Sequence, residues 1–142
     1  MPRMNLRKTH KLGMAAVLGL EAYCRSHTDK RLYELIKLRA SQLNRCGFCI
    51  AMHTEALVTA GESAERIAGL AEPGLPSGVY SPAEQAALGL TEAVTRLGDG
   101  VPDEVWEAAA EHFSETQLGN LVLAIATINV WNRIGIATRL DA

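Results

Sequence analysis

The sequence predicts an all-α fold, and three observations carry that expectation. Ala, Leu, Glu, Arg and Gln dominate most of the chain, and these residues favour helix. Apolar residues recur at helical spacing, and no stretch keeps the strict alternation of a half-buried strand. Ser81-Pro82-Ala83-Glu84 and Ser114-Glu115-Thr116-Gln117 both read as capping boxes, in which a serine and a Glu or Gln three residues later satisfy each other's backbone donors.

About six to seven helices follow in order. The first covers Thr9 to Arg25. The second starts near Asp29 and runs to about Asn44, with Leu32, Leu35, Ile36, Leu38 and Leu43 on or near one stripe. The third starts at Cys46 or Gly47 and runs to Ala60, with Gly61 closing it in a left-handed turn. Ser63 to Ala71 forms a shorter helix. Glu72 to Ser81, with two Pro and two Gly, reads as a connector. The helix opened by Ser81 and Pro82 reaches Leu97 before the Gly98-Asp99-Gly100 break. Pro102 begins another that ends near Phe113, and the last runs from Ser114 to about Leu140.

At 142 residues the chain has the length of one domain, taken as residues 1–142. Hydrophobic residues at 48% and charged residues at 21% exclude a disordered class. A net charge of −2 argues against a nucleic-acid binder, and 5% aromatics leaves little for base stacking. Three cysteines are too few for a secreted disulfide scaffold. Arg3, Arg7, Lys8 and Lys11 ahead of the apolar run Leu12–Leu20 superficially resemble an export signal, but Glu21 follows at once and Tyr23-Cys24 is a poor cleavage context. A helix of the mature protein is therefore expected there. Leu121–Trp131 is interrupted by Asn129 and is too short to span a bilayer, so it reads as a buried helix. The expected compartment is the cytoplasm, where thiols stay reduced.

The chemistry concentrates in Cys46-Gly47-Phe48-Cys49-Ile50-Ala51-Met52-His53. Two cysteines three positions apart at a helix start can join as a disulfide. The positive end of the helix dipole favours thiolate over thiol, and thiolate is the reactive species. His53, one turn after Cys49, shares its face and can exchange a proton with it. Two alternatives compete: an inert buried pair, or a zinc site drawing on Cys46, Cys49, His53 and Glu34. Structural zinc sites usually draw on two separated ligand pairs, and no second pair exists here. Cys24, His10, His27 and His112 stand alone, and Cys24 reads as buried and inert. Glu34 has two readings. It is a solvated partner of Lys30 or Lys37, or a carboxyl among apolar residues whose pKa desolvation raises toward neutrality.

Glu34, twelve residues before Cys46, followed by Cys46-x-x-Cys49-x-x-x-His53, resembles the signature of the AhpD-like alkylhydroperoxidases of the carboxymuconolactone decarboxylase superfamily. The resemblance extends through Glu34–Cys46, Phe48–His53, Leu88–Ala93 and Ile128–Arg133, and covers the chain from about Pro2 to Leu140. It implies an all-helical fold and a thiol-dependent peroxidase, and apolar Phe48, Ile50 and Met52 beside the pair point to organic hydroperoxides over hydrogen peroxide. Cys49 would attack, Cys46 would resolve, and Glu34 and His53 would form a proton relay, with Glu34 acting on His53 through water. The helix dipole alone does not say which sulfur attacks. No cofactor and no metal enters this scheme. The implied partners are a hydroperoxide, an external dithiol reductant and further copies of the chain as a trimer or hexamer, without nucleic acid or membrane. Phe48 departs from the best-known peroxidase of the family, which has a histidine just before the second cysteine. A redox-responsive interaction protein with little turnover is the alternative of a different class. Trp131 reads as a packing or interface residue, and Arg133 as a partner for an acidic residue or for another chain.

Overall fold

A computed structural model describes residues 1–71 and 78–140. Among them are eight helices and no strand: α1 (Leu6–Thr9), α2 (Lys11–His27), α3 (Lys30–Asn44), α4 (Gly47–Thr59), α5 (Ala64–Gly69), α6 (Pro82–Arg96), α7 (Asp103–His112) and α8 (Glu115–Thr138). The all-α expectation holds. The count exceeds six to seven because the first expected helix is preceded by a separate turn. Asn5 caps α1 by accepting from the Lys8 N–H at 3.2 Å, and the Thr9 hydroxyl pairs with the His10 ring at 2.8 Å. Such local side-chain bonds compete with helix continuation, and His10 leaves helical geometry (φ −131°, ψ 58°). Most of the expected connector, positions 72–77, lies outside the described residues.

Both capping boxes form. Ser81 accepts from Glu84 N–H at 3.1 Å and Ser114 from Gln117 N–H at 3.2 Å, with the reciprocal bonds at 3.0 and 2.8 Å. Asp29 caps α3 by accepting from Leu32 N–H at 2.9 Å, and Ser63 caps α5. Gly61 closes α4 at φ 84°, as its position implied.

Helix α3 is the axle of the molecule. Ile36 and Ala40 join Ala87, Leu90, Leu121, Ile125 and Ile128 in one core cluster with α6 and α8. Leu35 and Leu38 join Leu57, Leu70, Tyr80 and Leu88 in a second. Tyr33 packs with Cys24 and Ala124 in a third. Eight consecutive-to-near-consecutive positions between Tyr33 and Ser41 are buried, because α3 is covered by α4, α6, α8 and α2 around its circumference. Helix α8 is long and apolar enough by length and composition to cross a membrane, yet it packs against α2, α3, α4, α6 and α7 as a core helix.

Candidate active site

The turn between α3 and α4 places the cysteines. Arg45 adopts the left-handed conformation (φ 56°). Its N–H bonds Gln42 O at 3.2 Å, and the Cys46 N–H bonds Ser41 O at 3.0 Å. This pair of bonds is a Schellman closure, which satisfies the last carbonyls of α3 and reverses the chain at once. Cys46 therefore becomes the N-cap of α4, and Cys49 sits in its first turn. The Asn132 amide donates to Ser41 Oγ at 2.9 Å, and the Asn44 amide donates to Asn132 and Asn129 at 2.9 Å each. These bonds tie α8 to the end of α3 just before the cysteines.

Cys46 and Cys49 are joined as a disulfide. Gly135 of α8 backs it: a Cβ there would lie 3.4 Å from Cys46 Sγ and 3.6 Å from Cys49 Sγ. The two sulfurs are not equivalent. A cavity of about 430 Å³ is lined by Cys49 and His53 but not by Cys46. Its walls include Met14, Leu18, Phe48, Met52, Trp131 and Ile134, and residues 2 and 4–7 close one side. The N-terminal segment is held there by the Arg3 N–H, which donates to Thr138 O at 2.8 Å.

His53 is buried, and its Nδ1 lies 3.0 Å from Glu34 Oε2. The contact is direct, whereas a bridging water was expected from the resemblance. The other Glu34 oxygen accepts from Lys37 Nζ at 2.7 Å. The expectation that Glu34 is raised in pKa is overturned as well. Burial does push it up, but hydrogen bonds from His53 and Lys37 and the Lys37 charge outweigh burial and hold the carboxyl below the usual range. A carboxylate can only accept, so Nδ1 is the donor in this contact, and the tautomer that fits it leaves Nε2 as the acceptor.

A second carboxylate lies behind this pair. Glu21 Oε2 accepts from Tyr33 OH at 2.7 Å and from the Trp131 indole N–H at 3.2 Å. Its Oε1 accepts from Arg25 Nε at 3.1 Å and Lys37 Nζ at 3.4 Å. Burial raises Glu21, yet these donors lower it further, and the net direction is down. Burial and the Glu21 carboxylate drive the Tyr33 phenol well up, so Tyr33 stays a donor.

The sequence model for the carboxymuconolactone decarboxylase family matches residues 11–93. The chain belongs to this family. It is 43% identical over 127 residues to the uncharacterized protein YdfG of Bacillus subtilis, covering 88% of this chain and 86% of YdfG. It is also similar to a crystal structure from Agrobacterium tumefaciens of a protein of unknown function, described as a candidate antioxidant defence protein AhpD. The TM-score is 0.92 at 36% identity, covering 98% of this chain and 96% of the other. An uncharacterized peroxidase-related protein from Silicibacter sp. TM1040 shares the fold, with a TM-score of 0.74 at 18% identity over 88% of this chain and 67% of its own.

In this AhpD-like chain the structure brings together all four residues singled out in the sequence. Cys46 and Cys49 are bonded, His53 lies one turn on, and Glu34 reaches His53 from α3. In this state the two sulfurs are bonded to each other, and the Glu34 oxygens face Lys37 and His53. Among the described residues no three His, Cys, Asp or Glu side chains are grouped as metal ligands. Cys24 is buried, with Sγ 3.4 Å from Thr127 Oγ1. Within the chain Arg133 donates to Asn129 Oδ1 at 2.7 Å. Sequence reasoning missed Glu21, the central place of Lys37, the cavity wall at Trp131 and the backing role of Gly135. The available signals were a charge ending the apolar run at Leu20 and a lysine between Ile36 and Leu38.

Proposed function

We propose that the chain is a thiol-dependent peroxidase that reduces organic hydroperoxides by cycling Cys46 and Cys49 between dithiol and disulfide. The observation that carries this is the bonded pair with Cys49 alone lining an apolar cavity that also holds the His53–Glu34 pair. Cys49 thiolate attacks the terminal oxygen of the hydroperoxide, and the O–O bond breaks. His53 Nε2, having taken the Cys49 thiol proton to form the thiolate, passes it to the departing alkoxide, which leaves as alcohol, and Cys49 becomes a sulfenic acid. The Cys46 thiol then attacks Cys49 sulfur, forming the disulfide and releasing water. An external dithiol restores the pair through a mixed disulfide and is itself oxidised. Glu34 does not ferry protons in this scheme; it fixes the His53 tautomer and orientation, as the carboxylate of a hydrolase triad does.

The mostly apolar wall supports an organic hydroperoxide over hydrogen peroxide, and Phe48 at the cavity replaces a polar relay with an apolar contact. A dithiol cycle suits a reducing cytoplasm. Exposed Phe48, Met52 and Leu18 at the cavity support association with further copies of the chain, for which the family resemblance suggests a trimer or hexamer. The test is peroxide consumption with a dithiol reductant across alkyl hydroperoxides and hydrogen peroxide. Faster turnover of the alkyl compounds is expected. Cysteine oxidation without turnover would favour a redox-responsive interaction protein instead.

A further inference from the structure

Lys37 is the least expected group near the site. It is 2% exposed, in the middle of α3, between Ile36 and Leu38. A lone ammonium there would be too costly to bury, so its partners explain it. Nζ lies 2.7 Å from Glu34 Oε1, 3.4 Å from Glu21 Oε1 and 4.1 Å from the centre of the Tyr33 ring. Charges therefore alternate along one connected path: Arg25, Glu21, Lys37, Glu34, then the His53 ring. Every group facing Lys37 has a donor or acceptor role. Helix α2 gives Glu21 and Arg25, α3 gives Tyr33 and Glu34, α4 gives His53, and α8 gives the Trp131 indole. Cys24 adjoins Tyr33, and Arg7 faces the shared cavity.

We propose that Lys37, clamped between Glu21 and Glu34, is a positioning residue that keeps Glu34 a carboxylate, so that His53 stays protonated on Nδ1 and offers Nε2 as the base toward Cys49. Glu21 shares the Lys37 charge from the other side, at 3.4 Å against 2.7 Å for Glu34. Without Lys37 two buried carboxylates would share one pocket, and one would take up a proton. A protonated Glu34 can donate to Nδ1, and His53 then flips to the opposite tautomer. The inference rests on the peroxidase reading for its purpose, but its geometry can be tested without any turnover.

The experiment is nuclear magnetic resonance on the reduced and oxidised whole protein, reading the His53 tautomer from ring nitrogens and the Glu34 titration from its side-chain carbonyl carbon. Wild-type His53 is expected as the Nδ1–H form at neutral pH; the Nε2–H form overturns the proposal without any variant. Lys37→Met is expected to raise the Glu34 midpoint by at least about one pH unit, as removal of an adjacent opposite charge does, and Lys37→Arg to restore it. A folded Lys37→Met protein with a wild-type midpoint overturns the proposal. Should Lys37→Met fail to fold, Glu21→Gln decides. It leaves Lys37 to Glu34 alone and is expected to lower the Glu34 midpoint, and a rise or no movement contradicts the clamp. Turnover measured alongside separates the two readings. An inactive protein with the expected tautomer and midpoints sinks the peroxidase reading alone; an active one with the Nε2–H ring sinks the clamp alone.

Discussion

The two flanks of α3 are packed by opposite means. On one flank Ile36 and Ala40, fully buried, meet the apolar faces of α6 and α8. On the other, Glu34 and Lys37 meet Glu21 and His53, and burial there depends on every charge having a partner. The apolar flank is held by the transfer of surface from water, a term that tolerates repacking. The charged flank has no such tolerance, because removing one partner strands another in a low-dielectric setting. One flank gives stability that many sequences could supply, and the other gives a specific ionisation state beside the sulfurs.

The sharpest way to separate the flanks is at the chemistry itself. Cys49→Ser is expected to cut peroxide turnover by at least about two orders of magnitude, since the nucleophile is lost, while leaving the melting transition of the reduced protein nearly unchanged. Stability comes next. Lys37→Ala is expected to cost about 3–5 kcal/mol, as for a broken buried pair, and Ile36→Ala about 2–5 kcal/mol from the cavity it leaves. Chemical denaturation gives both values, and only the first variant should move the pH dependence of turnover. If both move it equally, the flanks are not functionally distinct.

Acid should unfold the charged flank first. The Glu21 and Glu34 carboxyls are lowered from the ordinary 4.5, so the stability they contribute is complete above that value and is lost as pH falls through their depressed folded values. Denaturation midpoints measured from neutral pH down to about pH 2 should fall below about pH 4.5, and Glu21→Gln should flatten that fall. A profile unaffected by Glu21→Gln would show that the acid sensitivity lies elsewhere. The smallest effect is expected at the turn. Arg45→Gly removes a left-handed non-glycine residue and should stabilise the protein by up to about 1 kcal/mol without changing turnover.

The same contrast explains what could be read in the sequence. Helix starts were legible because caps are local: Ser81, Ser114 and Asp29 each act on a backbone N–H three residues away. The cysteines and His53 were legible because one helical turn places them together. Glu34 as a site residue came only from the family resemblance; its spacing alone allowed a solvated side chain. Glu21 was beyond local reasoning, because its partner Trp131 is 110 residues away. The short α1 was missed because a polar contact between Thr9 and His10, not a helix breaker, divides it from α2. Lys37 was considered only as a partner of Glu34, and its second carboxylate depends on how α2 packs across α3.

The most direct measurement is rapid mixing of the fully reduced protein with an alkyl hydroperoxide, followed by mass analysis of the quenched product. A loss of two hydrogens as a Cys46–Cys49 disulfide is expected, with one equivalent of alcohol formed. In Cys46→Ser a stable sulfenic acid on Cys49 should accumulate instead. Oxidation that lands first on Cys46, or a dithiol that survives the peroxide intact, would contradict the assignment of this corner as a peroxide-reducing centre.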